Sequence, residues 1–427
     1  MIDNKKVLLV LAGAGVHCKV VEAAKEMGIY TIVTDYLVNS PAKLIADESL
    51  LYNIFDIDSL VAYGKEKGID GVIGFCIDPT QRPAQEIAEQ LDLPCFGTKE
   101  QVLVLTDKAI FKNFCRSHGV DVIQEYSWED VCNNAIVFPV LVKPTDSRGS
   151  RGASVCYNYD EIIKAIDVAK NESSNGEYII ERYMKGFQDL TISYIVKNGN
   201  PELISIGDRY PGREEDNLNR QLSCTIQPSR YANMYMEKVN DRVVKMIQDL
   251  GIINGPVFMQ GFVDGDTVRM YDPGIRFPGN EYERIYAKAT GINPMKSLIS
   301  YVIGGEIDDY NGNLKGSYDL NGKVAIQYMI NAGPGLIAEF KGLDAIEKLP
   351  FVVHVSKKRF EGEVIEPTGD VRHRIGEISI LVDRDITSMI DAIKLVQSLL
   401  NVNDENGNSL IISPFDANSI KDIYGEK

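Results

Sequence analysis

Within the first hundred residues, apolar runs and amphipathic stretches take turns. Val7–Leu11, Tyr30–Thr34, Gly71–Phe75 and Pro94–Gly97 read as strands. Lys19–Met27, Ser59–Lys67 and Pro83–Leu91 lie between them and repeat apolar residues at helical spacing. Strands separated by helices pair in parallel, which predicts a parallel sheet with helices on its faces.

The first strand enters a glycine turn in LLVLAGAGVHCKVVEAAKEMGIYTIVTD, with Gly13 and Gly15 in the turn and Asp35 ending the second strand. In nicotinamide enzymes such glycines admit a pyrophosphate, and such an acid holds a ribose. The third glycine of that fingerprint is missing; Cys18 stands in its place. A dehydrogenase is one reading of this segment, and a tight strand–helix turn is the other.

Past residue 100 the texture changes. Asp107–His118 reads as a helix, FPVLVKP as a strand ending in lysine, and YIIERYM as another strand. DLTISYIVKNGNPELISIG reads as a hairpin turning at Lys197–Pro201, and Arg230–Leu250 as one long helix closed by Gly251. GPVFMQGFVDG and TVRMYDPG follow as two strands joined by a tight turn. The polar, glycine-rich segment 308–322 reads as a link to a third unit, with strands near Val324–Met329, Val352–Val355 and Ile375–Val382 and a helix near Ile386–Leu400. The expected organisation is α/β for residues 1–105 and α+β for 106–307 and 308–427, with no internal repeat.

Composition narrows the function classes. The 427 residues suffice for two to three domains at about 150 residues each, and 44% apolar content allows ordinary cores. No apolar run nears the roughly 18 residues that span a bilayer, and MIDNKKVLLVLAG enters a strand without a cleavage pattern, so no membrane association and a cytoplasmic address are expected. A net charge of −16, from 45 basic and 61 acidic residues, argues against nucleic-acid tracking. The 7 cysteines show no CxxC spacing and the 4 histidines no HxxxH or HExxH spacing, which argues for reduced thiols and against a zinc site.

Residues 106–280 contain what a nucleoside triphosphate needs: cations, flexible backbone amides, a ribose acceptor and a metal ligand. Lys143 ends the VLVKP strand, where Pro144 stops the strand and leaves the ammonium at the mouth of a cleft. Lys108, early in its helix, is a second cation. Asp146 to Gly152 form a loop in which Gly149 and Gly152 allow close backbone approach, while Ser147, Arg148, Ser150 and Arg151 add donors. Glu181 lies inside an apolar strand and therefore needs a partner. Arg182, Tyr183 and Met184 follow it as a backbone edge for a base, and Asp189, with Gln188 one step away, is a ribose acceptor. Gln260 and Asp272 occupy successive strands and are placed to face one another across a magnesium ion; Arg276 follows beside them.

Taken in this order, the motifs resemble the ATP-grasp superfamily, chiefly its carboxylate–amine ligases, over nearly the whole chain. TDKAIFKNFCRSHGV resembles the entry helix, FPVLVKPTDSRGSRGASV the strand, lysine and phosphate loop, EYIIERYMKG the adenine hinge, and GFVDGDTVRMYDPGIRFPG the metal hairpin. The segment from Lys323, with AGPGLIAEFKGLDAIEKLP, resembles the C-terminal domain of the amino-acid ligase branch. The resemblance implies a Rossmann-like pre-ATP-grasp domain at 1–105, a nucleotide domain at 106–307 with a mobile small lobe near 120–190, and a C-terminal α+β domain at 308–427. It implies ATP and Mg2+, with Lys108, Lys143 and loop 147–152 on the phosphates, Glu181 to Met184 at adenine and Asp189 at ribose. Asp272 would ligate magnesium, and Arg276 would stabilise the acyl-phosphate step.

Here Gln260 and Asp272-Pro273-Gly274 stand where the family's hairpin offers Glu and Glu-x-Asn, and fewer anionic ligands predict weaker magnesium binding. The implied reaction joins a small-molecule carboxylate to an amine. Arg209, Arg213 and Arg220, then Arg372 and Arg374, are candidates for the substrate carboxylate. A non-catalytic nucleotide-binding module is the alternative, and a homodimer is expected by analogy.

Overall fold

The computed structural model describes residues 5–146, 151–213, 215, 221–308 and 313–425. Its first sheet is four-stranded, in the order β3-β2-β1-β4, with β1 Val7–Leu11, β2 Tyr30–Thr34, β3 Glu48–Leu50 and β4 Gly71–Gly74. All its pairings are parallel, as the alternating pattern predicts. Every residue of β1 is buried, because helices cover both faces. One cover is the distant helix Pro294–Gly304: a Cβ on Gly71 would lie 2.5 Å from the Val302 carbonyl oxygen, so only glycine allows this approach. Pro94–Gly97 carries no strand hydrogen bonding, a correction to the sequence reading. Its apolar residues serve packing instead, with Phe96 stacked on Tyr301 at 5.9 Å.

A second four-stranded sheet, ordered β5-β8-β6-β7, comprises β5 Glu125–Tyr126, β6 Val140–Pro144, β7 Ser154–Cys156 and β8 Tyr178–Arg182. It packs on the helix Tyr159–Glu172 around its own apolar cluster. The third sheet has nine strands. It runs β13 Thr267–Gly274, β12 Gly255–Asp264, β9 Asp189–Lys197, β10 Asn200–Pro211, β11 Leu222–Gln227 and β14 Lys323–Ala332. It then continues into Arg374–Asp383 and Val352–Lys357, while Ile411–Ile412 pairs with β14.

The sheet therefore runs without a break across the boundary read at 307/308: Thr225 of β11 pairs with Gln327 of β14. Buried Leu314 and Leu320 show that the polar segment before β14 is partly packed. The long helix read at Arg230–Leu250 is two helices, Ala232–Lys238 and Asn240–Leu250. They meet at Val239, whose φ of −122° departs from helical geometry. No helix among the described residues is long and apolar enough to cross a membrane.

Candidate functional site

Two lysines from different elements meet the end of the β12–β13 hairpin. Lys108 opens the helix Lys108–Ser117, which Asp107 caps by accepting from the Ala109 and Ile110 amides. Its ammonium lies 3.2 Å from Asp272 Oδ1. Burial works against its charge, but Asp272 and Asp78 outweigh it and raise the Lys108 pKa. Lys143 reaches from β6 to within 2.5 Å of Glu181 Oε1 and stands 5.3 Å over the Tyr271 ring. Burial, helped by the Lys112 and Lys108 charges, pushes Lys143 below the ordinary lysine range despite Glu181.

Glu181 is buried and its other oxygen meets Lys112, which also lies 3.2 Å from Glu125. Burial opposes ionisation here, yet the two lysines hold the carboxyl below its ordinary value. Both Glu181 oxygens are thus committed to ammonium groups, which supplies the partner its place in an apolar strand calls for. Lys112 was missed; its i,i+4 spacing from Lys108 on one helix was the available signal.

In the hinge, the Arg182 amide donates to Gln124 O at 2.9 Å and the Tyr183 amide to Pro139 O at 3.1 Å. Among the described residues the Met184 amide has no such backbone partner. Ser147, Arg148, Gly149, Ser150 and Arg220 lie outside the described residues. Arg151 is exposed, and Gly152 adopts a φ of +66°.

On the hairpin, Gln260 and Asp272 are cross-strand partners, with a register shift just beyond Gln260. Gln260 does not stand free for a metal. In the orientation that satisfies its amide, it accepts from Arg209 Nη1 at 2.9 Å and donates to the Tyr271 hydroxyl at 3.1 Å. Asp189 is drawn into the same network, 2.6 Å from Arg209 Nη1 and 3.0 Å from the Tyr271 hydroxyl. A ribose acceptor read from the sequence is therefore already an ion-pair partner. Burial drives the Asp189 carboxyl up to about 6 against the pull of Arg209. Tyr271 had no sequence signal beyond its place beside Asp272.

Arg276, buried beside Phe258, grips Asp78 of the first unit through Nε at 2.5 Å and Nη2 at 3.1 Å. That fork ties the hairpin to a turn 198 residues away, a contact no local pattern announces. Of the other arginines, Arg209 is committed to Asp189, Arg213 is exposed, and Arg372 pairs with Asp370 at 2.6 Å. The Arg374 side chain makes no hydrogen bond or ion pair among the described residues.

The glycine turn of the first strand has a different use from the dinucleotide reading. The Gly13 amide donates to Asp35 Oδ2 at 2.7 Å and the Leu37 amide to Oδ1 at 2.8 Å. A Cβ on Gly13 would lie 2.0 Å from Ser40 Oγ. The carboxylate ties two loops together, and the glycine makes room for Ser40. Among the described residues, no group of three or more His, Cys, Asp or Glu side chains is arranged to hold a metal. Asp272, with its side chain 23% exposed, is the accessible carboxylate at the hairpin end.

Residues 107–264 match the family described as carbamoyl-phosphate synthase L chain, ATP binding domain. The 2-oxoglutarate carboxylase small subunit of Hydrogenobacter thermophilus is 25% identical over 227 residues, 48% of each chain. The chain thus spans about half the length of that relative, and 30% of a matching carbamoyl phosphate synthase large chain from Thermomicrobium roseum. The L-amino acid ligase from Bacillus licheniformis superposes with a TM-score of 0.75 at 18% identity, over 94% of this chain and 99% of that one. The biotin carboxylase domain dimer of the Hydrogenobacter thermophilus 2-oxoglutarate carboxylase, in complex with MgADP, ADP and bicarbonate, gives 0.75 at 19% identity, over 97% and 94%. At these identities the two superpositions establish the fold. The match to an ATP-binding domain thus falls on the segment that holds Lys108 and Lys143, and the likeness in fold extends over nearly the whole chain.

Proposed function

We propose that this protein is an ATP-dependent ligase that joins a small-molecule carboxylate to an amine. The observation that carries the reading is the convergence of two ammonium groups, the part-buried Lys108 from a helix and the buried Lys143 from the small sheet, on the Tyr271–Asp272 end of the hairpin. Fixed cations at one point suit a phosphate tail, because phosphoryl transfer is mostly positioning and charge neutralisation. The Met184 amide would meet the adenine edge, and loop 147–152 would cover the phosphates.

The residues fit magnesium in one particular way. Asp272 is a single accessible carboxylate, and Gln260 is engaged by Arg209, so the ion would arrive on the nucleotide's phosphates with water completing its shell. Magnesium would then supply charge neutralisation between the phosphates. Arg276, held by Asp78, would face the charge that develops at the transferred phosphoryl group. The substrate carboxylate oxygen attacks the γ-phosphorus and the bond to ADP breaks, giving an acyl phosphate. The amine nitrogen then attacks the acyl carbon, loses its proton, and phosphate leaves. Excluding water protects the acyl phosphate from hydrolysis.

The division into units at 1–105, 106–307 and 308–427 belongs to this reading. The small sheet's own apolar cluster supports it; the C-terminal cluster also takes in Cys224 and Ile226, so the last unit shares core as well as sheet with the one before it. A homodimer is proposed by the same analogy.

The test is ADP release from the purified chain with MgATP against panels of carboxylates and amines. Release that requires both substrates supports the ligase; tight ATP binding with no release across the panels leaves the non-catalytic module. Asp272→Asn is expected to raise the magnesium concentration for half-maximal release by about tenfold or more. An unchanged magnesium requirement would remove Asp272 from the metal site.

The raised carboxyl of Asp189 gives a pH signature. Below about 6 it takes up a proton and Arg209 loses its partner, so ADP release should show an acid limb centred there. Asp189→Asn should abolish that limb; a limb that persists unchanged in this variant contradicts the assignment. The stability sign is opposite. A buried carboxyl raised above its unfolded value of roughly 3.9 makes this group's contribution more favourable as pH falls from 6 towards 4, and less favourable above.

A further inference from the structure

The hairpin end gathers four cations, and each rests on a carboxylate of the protein: Lys108 on Asp272, Lys143 on Glu181, Arg209 on Asp189 and Arg276 on Asp78. Arg209 differs from the others in what it covers. It comes from β10, which β9 separates from the hairpin strand β12. Its guanidinium nevertheless reaches the Gln260 member of the cross-strand pair, while Lys108 meets the Asp272 member.

Gln260 is the position from which β12 could offer a metal ligand opposite Asp272. A side-chain amide oxygen has two lone pairs. In the orientation that satisfies Gln260, Arg209 engages that oxygen twice, through Nη1 at 2.9 Å and Nη2 at 3.2 Å. The Gln260 nitrogen is engaged by the Tyr271 hydroxyl at 3.1 Å. Asp189 is bound in the same way, by Arg209 at Oδ2 and by the Tyr271 hydroxyl at Oδ1. Neither residue keeps an oxygen for a cation. An ion on Gln260 would also stand within roughly 5 Å of the guanidinium, from a Mg–O distance of ~2.1 Å, and like charges at that range in a part-buried site repel strongly.

Asp272 is different. Its Oδ2 makes no hydrogen bond or ion pair among the described residues, and its one cation, Lys108, stands on a flexible stem that can turn to a phosphate. Arg209 is pinned by Gln260, Asp189 and Tyr271 and stays where it is. It is not exhausted by these contacts: Nε and one hydrogen of Nη2 have no hydrogen-bond partner among the described residues. Sites that transfer phosphoryl groups use one or two divalent ions to neutralise the phosphates, and each ion needs oxygen ligands from the protein. The hairpin end provides for one.

We propose that this chain takes a single divalent ion with its nucleotide, on Asp272, and that the guanidinium of Arg209 fills the place and supplies the positive charge of a second. The inference rests on the nucleotide site of the ligase reading. Arg209 is on this account a nucleotide-binding residue, whose open N–H groups are donors for a phosphate oxygen.

The test counts ions on the full chain. Mn2+ replaces magnesium, and its free form is measured by the paramagnetic resonance signal of the ion in solution. The nucleotide is AMP-PNP, with the chain in molar excess and the nucleotide-free chain as blank. The expected count is one Mn2+ per bound nucleotide. In Arg209→Met/Gln260→Glu the guanidinium is gone and a carboxylate faces Asp272, so the count should rise to two. Arg209→Gln/Gln260→Glu serves instead if calorimetry shows that the first chain does not bind AMP-PNP. In Arg209→Met alone, AMP-PNP affinity should fall by about tenfold or more. Two ions or none on the unaltered chain, a count that stays at one in the double variant, or an unchanged affinity in Arg209→Met would each overturn the proposal. Failure of the unaltered chain to bind AMP-PNP at all would overturn the nucleotide site and the ligase reading with it. A count of one without ADP release from MgATP on any substrate panel would overturn the ligase reading and leave the single ion standing.

Discussion

Replacing Glu181 by alanine should destabilise the protein by roughly 3–5 kcal/mol, the usual cost of stranding buried charge. The side chain of Lys112 is fully buried and that of Lys143 is 10% exposed, and Glu181 neutralises both. Without it, two ammonium groups lose their shared counter-charge in a dry interior, and among the described residues Glu125, on the Lys112 side, is the carboxylate left paired with them. Calorimetric melting of the variant should show an early transition, because the small sheet carries its own apolar cluster. The double variant Lys112→Met/Glu181→Met should recover most of the loss, since apolar isosteres can replace a buried pair. ATP affinity should fall in Glu181→Ala, because Lys143 loses the group that aims it. A Glu181→Ala chain that melts like the parent would show that the three charges are not coupled.

Replacing Arg276 by alanine should lower the rate of ADP release by about 10²–10³-fold, with little change in ATP affinity. The reasoning is geometric. Arg276 is buried, stacked at 5.0 Å on Phe258, and forked onto Asp78, so its remaining N–H groups are held in one direction. A preorganised cation of this kind acts on charge that develops during the transfer and not on the bound nucleotide. Arg276→Lys should rescue little, because an ammonium cannot reproduce the fork. Asp78 is a positioning residue: Asp78→Asn should give a smaller loss, of order tenfold, and Arg276→Ala should mask it in the double variant. Single-turnover kinetics on the four chains would decide the matter. Undiminished turnover in Arg276→Ala would dismiss this arginine from the chemistry.

The legible and illegible parts of the site differ by the range of the interaction. The strand that carries Lys143 was legible as an apolar run, although it begins at Val140, after Phe138 and Pro139, and takes in Pro144. The hairpin that pairs Gln260 with Asp272 was legible from its turn. The polarity of Glu181 within an apolar strand announced a partner, but Lys112 as the second partner arose from a helix 69 residues away. Pro94–Gly97 was misread because its residues are apolar and pack without strand pairing, and the break at Val239 because helical spacing continues across it.

Local patterning alone dictated the parallel first sheet, the hairpins and the lysines at element ends, since each depends on a residue and neighbours within a few positions. Tertiary packing decided which charges are already paired. Asp189 with Arg209 and Arg276 with Asp78 are settled by strands and turns brought together from distant parts of the chain. The reason is that the energy of a buried charge depends on which opposite charge lies within a few ångströms, and sequence spacing does not encode that distance.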